Sequence, residues 1–119
     1  MAARQCNVTF KNETDNSLTF VKKSNEHGEF MSTPPVTIPP KNSGSWEHGS
    51  SGIMTGSVGI IEYVDEKKRI YHLHFANPFV GTTWQECFVS PNDGGVELTG
   101  EASPSSNGNA KFTFTVKKK

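Results

Sequence analysis

The sequence predicts an all-β fold, a single antiparallel β-sandwich that covers residues 1–119. Apolar and polar residues alternate with a period of two in several short segments, which is typical of half-buried strands. Eleven Gly and seven Pro interrupt the chain, and no window repeats apolar residues at the 3.6-residue period of a helix. A chain of 119 residues is the length of one ordinary domain, so one hydrophobic core is expected.

The first and last strands show the alternation most clearly. Near the start, Cys6, Val8 and Phe10 alternate with polar residues, and Asp15-Asn16 forms a turn after them. At the end of the chain, Lys and Thr alternate with Ala110, Phe112, Phe114 and Val116. Both strands are therefore predicted to place one apolar face in the core.

The segments that follow the first turn continue the pattern. Leu18 and Phe20 resume the alternation, and residues 25–28 are predicted to turn the chain. Because proline offers no N–H to a strand ladder, the proline-rich stretch at 34–40 is predicted as an edge strand or a loop. Trp46 is then expected on a short strand.

A hairpin is predicted across the centre of the sequence. Residues 55–64 form a strand rich in β-branched side chains, residues 65–68 a charged loop, and residues 70–75 the returning strand. Glycine at positions 56 and 59 indicates a bulge or a close approach of two backbones. The side chains of the returning strand that are predicted to face the core are those of Tyr71, Leu73 and Phe75.

The remaining segments alternate between turns and strands. An apolar turn at 77–81 precedes a strand at 83–89, and a turn at 90–95 precedes a short strand at 96–99. The Gly-, Ser-, Asn- and Pro-rich stretch at 100–109 is predicted as a loop before the last strand.

Composition and charge exclude several classes of protein. Twelve Lys+Arg balance twelve Asp+Glu, with a pI near 6.9, so the basic surface of a nucleic-acid-binding protein is not expected. The mean hydropathy is −0.54, and no apolar run approaches the roughly 20 residues of a membrane-spanning helix. The first residues lack the apolar stretch of a secretory signal, so the protein is expected to be made in the cytoplasm without a leader. Cys6 and Cys87 are expected as free packing thiols, with one disulfide as the alternative.

The common catalytic motifs are absent from the sequence, which contains no GxSxG, HExxH, Walker or GxGxxG pattern. The protein is therefore predicted to be non-enzymatic and to need no cofactor or metal. His72 and His74 share one face of a strand and are interpreted as ordinary strand residues. A metal site there would need a third ligand from His27, His48 or a carboxylate.

An apolar turn is the most unusual feature, because turns are normally polar. Phe79, Val80 and Trp84 fall within six residues. These side chains suit shallow contact with a membrane, stacking on a sugar ring, or closure of one end of the sandwich. A sugar would find hydrogen-bonding groups nearby, at Asn77, Thr82, Thr83 and Gln85.

Two motifs in this region resemble those of a known family. Residues 53–63 read IMTGSVGIIEY, and residues 73–81 read LHFANPFVG after a charged hairpin. The ordered pair looks like the aegerolysin family, and closest to the small component of bacterial two-component insecticidal proteins, whose pattern M-T-G-x-x-G-x-I-x-Y is followed by N-P-F-x-G. The likeness extends over nearly the whole chain, from its polar start to its final Thr-rich strand.

The resemblance implies a function as well as a fold. Such proteins recognise membrane lipid, often sphingolipid-containing, and recruit a larger pore-forming partner to kill cells. The protein is then expected to be released or stored as an inclusion and to act on target cells from outside, with a homo-oligomer on the membrane left open.

The proline-aromatic loop is also similar to that of actinoporins, where it helps to hold a phosphocholine headgroup. This implies a lipid-headgroup site at Pro78, Phe79 and Trp84, with Tyr63 and Tyr71 as further members. A carbohydrate-binding lectin on the related fruit-body fold is the alternative function.

Overall fold

The computed structural model describes residues 3–52 and 54–119, in which ten strands form two facing sheets. Ile53 of the first motif and the first two residues of the chain lie outside the described residues. The strands are β1 (Gln5–Glu13), β2 (Leu18–His27), β3 (Glu29–Phe30), β4 (Thr37–Ile38), β5 (Asn42–Gly49), β6 (Ser57–Asp65), β7 (Ile70–Asn77), β8 (Trp84–Ser90), β9 (Val96–Ala102) and β10 (Asn109–Lys118).

Each sheet has five strands. The first sheet has the order β3-β5-β1-β10-β9, and the second has the order β4-β2-β6-β7-β8. The predicted all-β sandwich is therefore confirmed. One pair departs from the antiparallel prediction, because β1 and β10 run parallel, with Val8 opposite Phe112 and Phe10 opposite Phe114. No hairpin joins these two strands, so no turn imposes an antiparallel direction on them.

The core lies between the two sheets and contains the predicted apolar faces. The alternating residues of β1, β7 and β10 are fully or almost fully buried. Aromatic rings meet edge to face across the interface, as Phe10 does with Tyr63 and Tyr71 at centroid distances of 5.8 and 6.1 Å. The sequence periodicity thus correctly predicts which face of each of these strands is inside.

Several element boundaries differ from the prediction. β2 continues through residues 25–27, so the turn before β3 is confined to Gly28. β9 extends to Ala102, three residues beyond the predicted end, because it pairs with β10 along its whole length. The proline-rich stretch contains β4, which lies at the edge of the second sheet as predicted.

The two glycines predicted to mark a bulge or a close approach mark close approaches. The register of β6 with β7 is continuous from Ser57 to Val64, and the bulges lie in β2 instead. At Gly59, a β-carbon would lie 2.8 Å from the ring of Phe75 and 2.9 Å from that of His48. A side chain here would therefore collide with core rings.

The structure also bears on the predictions made for the two cysteines and for membrane-spanning helices. Cys6 in β1 and Cys87 in β8 lie in different sheets, and both are free thiols. Within residues 3–52 and 54–119, no helix has the length and apolar character required to cross a membrane.

The strand connections are divided between the two ends of the sandwich. One end, which we call the cleft end, carries the turn at Gly28, the segments 50–52, 54–56 and 78–83, and the loop 103–108. The N-terminal residues enter β1 at the same end, where Gln5 pairs with Gly49 and Asn109. The candidate site is therefore built by connections that start from rigid strands of both sheets.

Candidate functional site

A surface cleft of about 370 Å³ opens at the cleft end. It is lined by His27, Met54, Thr55, Gly56, Val58, Pro78, Phe79 and Val80. Most of these side chains are apolar, and none of the described lining residues carries a carboxylate. An apolar cleft with a few polar groups is typical of a ligand-binding site.

The hairpin of β6 and β7 brings the two walls of the cleft together. Ser57 pairs with Asn77, so the residues just before β6 lie beside those just after β7. A β-carbon on Gly56 would lie 3.0 Å from the Cα of Pro78. A side chain at position 56 would push the two walls apart by a few tenths of an ångström.

The segment 78–83 is anchored at both ends by side chains that donate to main-chain oxygens. The Asn77 amide is fully buried and donates to the carbonyl oxygens of Gln5 and Gly108, both at 3.0 Å. At the other end, Thr83 Oγ1 donates to the carbonyl oxygen of Ser103 at 2.6 Å. These bonds tie the segment to the first sheet and fix where its tip points.

Arg4 braces the same segment from the N-terminal side. Its guanidinium carbon lies 5.0 Å from the centre of the Phe79 ring, within range of a cation–π interaction. Its Nη2 also donates to the carbonyl oxygen of Phe79 at 3.3 Å, and Nη1 donates to that of Ala3 at 2.9 Å. The ring of Phe79 is thereby half-buried and held in place.

The tips of the two walls are apolar and exposed. Val80 is 82% exposed and Met54 is 68% exposed. Trp84 begins β8 at the same end, is 42% exposed, and packs edge-on against His74 at a centroid distance of 4.7 Å. These side chains lie outside the buried core and make the rim of the cleft end apolar.

A buried polar chain lies beneath the wall that contains Met54. His48 at the end of β5 is fully buried, with Nδ1 2.8 Å from Ser57 Oγ and Nε2 2.9 Å from Asn25 Oδ1. Burial lowers the pKa of His48 from 6.5 to about 4. The hydrogen-bonded chain of Ser57, His48 and Asn25 resembles the arrangement of a catalytic triad. However, Ser57 is fully buried and has no open path to a substrate.

The structure brings together only part of the predicted headgroup site. Pro78 and Phe79 line the cleft, and Trp84 lies at the same end on the outer face of β8. Tyr63 and Tyr71 are fully buried in the core, where their hydroxyls donate to the Pro35 carbonyl and to Asp65 Oδ2, each at 2.7 Å. Burial raises the pKa of both tyrosines, and neither faces the cleft end, so we remove them from the candidate site.

The polar residues that suggested a sugar site at the turn are mostly engaged in structural bonds. Asn77 and Thr83 anchor the segment as described, and Gln85 Nε2 donates to the Gly100 carbonyl at 3.0 Å. Of this group, Thr82 is exposed. The turn therefore offers little hydrogen bonding to a sugar.

The two histidines of β7 are paired with glutamates on the outer face of the second sheet. His72 Nδ1 lies 2.8 Å from Glu62 Oε2, and His74 Nε2 contacts Glu26. Across the described parts of the chain, no three His, Cys, Asp or Glu side chains are arranged to hold a metal ion. His48, one of the predicted third ligands, is committed to Ser57 and Asn25.

The sequence prediction missed part of the cleft, namely His27, Thr55 and Val58 with the exposed Met54. Their proximity to Pro78 follows from the hairpin register, which pairs Ser57 with Asn77. Counting outward from the facing ends of the two predicted strands, with residue 64 opposite residue 70, would have placed residue 56 opposite residue 78. The signal was therefore present in the sequence, but it needed a register rather than a motif.

Comparisons with known proteins agree with this architecture. A family model described as aegerolysin matches residues 3–118. The crystal structure of the lipid binding protein Nakanori is similar with a TM-score of 0.88 and 16% identity, covering 99% of this chain and 73% of that one. Among curated protein sequences, none matches this chain.

Two further crystal structures share the fold. The RahU protein, in complex with a TRIS molecule, has a TM-score of 0.78 and 10% identity, covering 100% of this chain and 98% of that one. IP-1A from Alcaligenes faecalis has a TM-score of 0.72 and 15% identity, covering 99% of this chain and 93% of that one. At such low identities, these likenesses show the fold alone.

Proposed function

The chain belongs to the aegerolysin family, and from this premise we propose that it is a non-enzymatic protein that binds membrane lipid through its cleft end. The observation that carries the proposal is the apolar cleft, whose rim exposes Met54 and Val80. A similar structure, that of Nakanori, is described as a lipid binding protein, which supports the same class of ligand.

The geometry suggests how a bilayer would be engaged. Val80 and Met54 project from the walls and would enter the interfacial region, while the cleft between them receives part of a lipid. Trp84 lies at the same end and suits the boundary between headgroups and acyl chains, where its ring is apolar and its N–H can meet water. Because Asn77 and Thr83 already anchor this surface, lipid binding does not have to bear the entropic cost of ordering it.

The expected affinity of one copy is low. Complete burial of a side chain such as Val or Met is worth about 1.5–3 kcal/mol. The three exposed side chains at this end thus contribute a gross gain that is comparable to the cost of association, about 4 kcal/mol or more. Stable attachment therefore requires several copies on one membrane or a second protein.

This requirement supports a more specific proposal. We take the lipid to be sphingolipid-containing and the chain to be one component of a two-component pore-forming cytolysin, with insect cells as the target. It recruits a larger partner to the membrane, acts from outside the target cell, and forms a homo-oligomer there. The motif pair at 54–63 and 73–81 supports this narrower assignment.

Vesicle co-sedimentation tests the lipid-binding proposal. Purified protein is pelleted with phosphatidylcholine vesicles, with and without sphingolipid and sterol. We expect Val80→Asp to lower the bound fraction by about tenfold or more, because a charge replaces an apolar side chain at the membrane. Val36→Asp is the matched control, since Val36 is also exposed but precedes β4, which pairs with Leu18 at the opposite end.

Two results would contradict the proposal. If wild-type protein pelleted with none of these vesicles, the lipid assignment would fail, and a glycan array would test the lectin alternative. If Val80→Asp and Val36→Asp bound equally well, the cleft end would not be the surface that meets the membrane.

A further inference from the structure

Each sheet of the sandwich ends in two edge strands, and three of the four edges are protected against pairing with another chain. β3 and β4 have two residues each and offer little backbone to a second strand. β9 is longer, but Glu97 and Glu101 lie on its outward face. Its Gly100 carbonyl already accepts a hydrogen bond from Gln85 Nε2 at 3.0 Å. Native proteins blunt exposed edges by such means.

β8, the fourth edge, has none of these protections. It is seven residues long and pairs with β7 in continuous register along its whole length. It contains no proline, glycine or lysine, and Glu86 is its only charged residue. In the described parts of the chain, no loop bonds the main chain of β8 from its outer side. Alternate N–H and C=O groups of this strand are therefore open to another strand.

Two aromatic rings on the outer face of β8 are held in place by β7. Phe88 is 50% exposed and stacks on His72 at a centroid distance of 4.6 Å, with 13° between the ring planes. Trp84 is held edge-on by His74. Since these rings are already fixed, an interface that covers them loses little side-chain entropy. Beside the strand, a groove of about 300 Å³ separates β8 from β9, and its apolar lining includes Val89, Val96 and Leu98.

A second copy of the chain fits this edge in one register. Antiparallel strands related by a two-fold axis pair residue by residue about a central residue. With Cys87 at the centre, every residue of β8 is paired, and Glu86 faces Phe88 of the second copy. Centring on Glu86 would oppose two carboxylates. Centring on Phe88 would set Pro91, which offers no N–H, into the ladder.

The same operation is unfavourable at β9, the other long edge. Centred on Thr99, it would set Glu97 of each copy against Glu101 of the other. Like charges directly opposite each other destabilise a strand pair. The register of β8 about Cys87 opposes no two charges. The charge pattern therefore permits self-pairing at β8 and disfavours it at β9.

We propose that the protein forms a two-fold dimer in solution, in which the β8 strands of two copies pair antiparallel about Cys87 and join the second sheet of one copy to that of the other. The inference goes beyond lipid binding and does not depend on it. Because the two-fold axis reverses the strand direction, the two cleft ends point away from each other, and a flat membrane meets only one of them. Copies gathered on one membrane are therefore joined by other contacts.

Light scattering after gel filtration, over a range of micromolar concentrations, tests the dimer. We expect a mass of twice the 13.0 kDa of one chain. Phe88→Glu sets a carboxylate against Glu86 of the second copy twice in each dimer, and should raise the dissociation constant by about tenfold or more. Phe88→Lys sets an ammonium there and should keep the dimer, although both variants lose the same stack on His72.

Two further variants test the register and the surface. In the double variant Glu86→Lys with Phe88→Glu, opposite charges face each other across the axis again, so the dimer should return. Val36→Glu is the control, because Val36 is exposed beside β4, the other edge of the second sheet, and this variant should remain a dimer.

Oxidation by copper phenanthroline tests the register without a change in β8. The Cα atoms of directly opposed residues lie about 4.5–5.5 Å apart, which a disulfide can span. The partly exposed Cys87 should therefore link two copies, while the fully buried Cys6 stays free. Val36→Cys in a Cys87→Ala background controls for chance collisions and should give no linked dimer at the same concentration.

A monomer at every concentration, or a dimer equally tight in Phe88→Glu and Phe88→Lys, would overturn the proposal. A dimer in which Cys87 forms no cross-link would do so too, because this thiol stands at the proposed axis. The cross-link uses the unchanged strand, so it decides the register even if Phe88→Glu does not fold. No lipid is present in these measurements, so their outcome is separate from that of the lipid-binding proposal.

Discussion

Acidification from pH 7 to pH 4 is predicted to destabilise the protein through His48. The ring is fully buried, and burial lowers its pKa from 6.5 to about 4. Below pH 6.5 His48 binds a proton in the unfolded chain, whereas in the folded chain it binds one only near pH 4. The contribution of the neutral His48 to stability is therefore fully present above pH 6.5 and is lost as the pH falls from 6.5 to about 4.

The size of the loss follows from the two pKa values. Each pH unit between them costs about 1.36 kcal/mol, so the full loss on reaching pH 4 is about 3 kcal/mol. Such a loss is a large share of the total for a small domain, which is about 5–15 kcal/mol. Hydrogen bonds, including those from Arg69, lower the pKa of Asp65 and of Asp93, so most of their contribution to stability is lost below this window.

Urea unfolding at half-unit pH steps between 7 and 4 measures the effect. The free energy of unfolding of wild type is compared with that of His48→Asn, which retains every other titratable group. We expect the difference between the two proteins to change by about 3 kcal/mol across the window in favour of the variant. A difference that stayed constant with pH would refute the argument that His48 is held neutral by its surroundings.

Three substitutions test other parts of the structure. Arg69→Met should lower the free energy of unfolding by about 3–5 kcal/mol, because it removes the guanidinium that pairs with the buried Asp65 carboxylate at 3.1 Å. Chemical denaturation measures this loss, and a value below about 1 kcal/mol would contradict the prediction. Gly59→Ala should lower the same quantity by about 1–3 kcal/mol through overpacking, and an unchanged melting temperature would count against the close approach. Trp84→Ala should reduce vesicle binding while Phe88→Ala, an equally exposed aromatic farther along β8, leaves it unchanged; equal effects would exclude a specific role at the cleft end.

Strand faces were predictable because alternation is a local property of the sequence. The core positions of β1, β7 and β10 followed from period-two patterns alone. The same pattern placed Tyr71 in the core, whereas the family resemblance suggested it for the headgroup site. The structure agrees with the alternation, since Tyr71 is fully buried and bonded to Asp65.

Long-range pairing was less predictable, because it depends on contacts between distant segments. The parallel pairing of β1 and β10 joins strands near the two ends of the chain, and no turn between them predicts it. The roles of Asn77 and Gln85 were hidden for the same reason, since their side chains bond to main-chain oxygens far away in sequence. Polar residues near an apolar turn read as ligand-binding groups until their partners are known.

The candidate site lies between these two cases. The apolar turn at 77–81 was evident from composition, and Pro78 and Phe79 do line the cleft. The opposite wall with Met54 required the hairpin register, and the support beneath it at His48 required the arrangement of both sheets. A motif can therefore locate one wall of such a site, while the second wall depends on the fold.

A site-specific fluorescent label tests most directly whether the cleft end, and no other surface, meets the membrane. A nitrobenzoxadiazole group is attached to Val80→Cys or to Val36→Cys in a Cys87→Ala background, where the buried Cys6 does not react. On addition of sphingomyelin–phosphatidylcholine vesicles, we expect a blue shift and a rise in emission at position 80 and no change at position 36. Equal changes at both positions, a change at position 36 alone, or no change at either would contradict it.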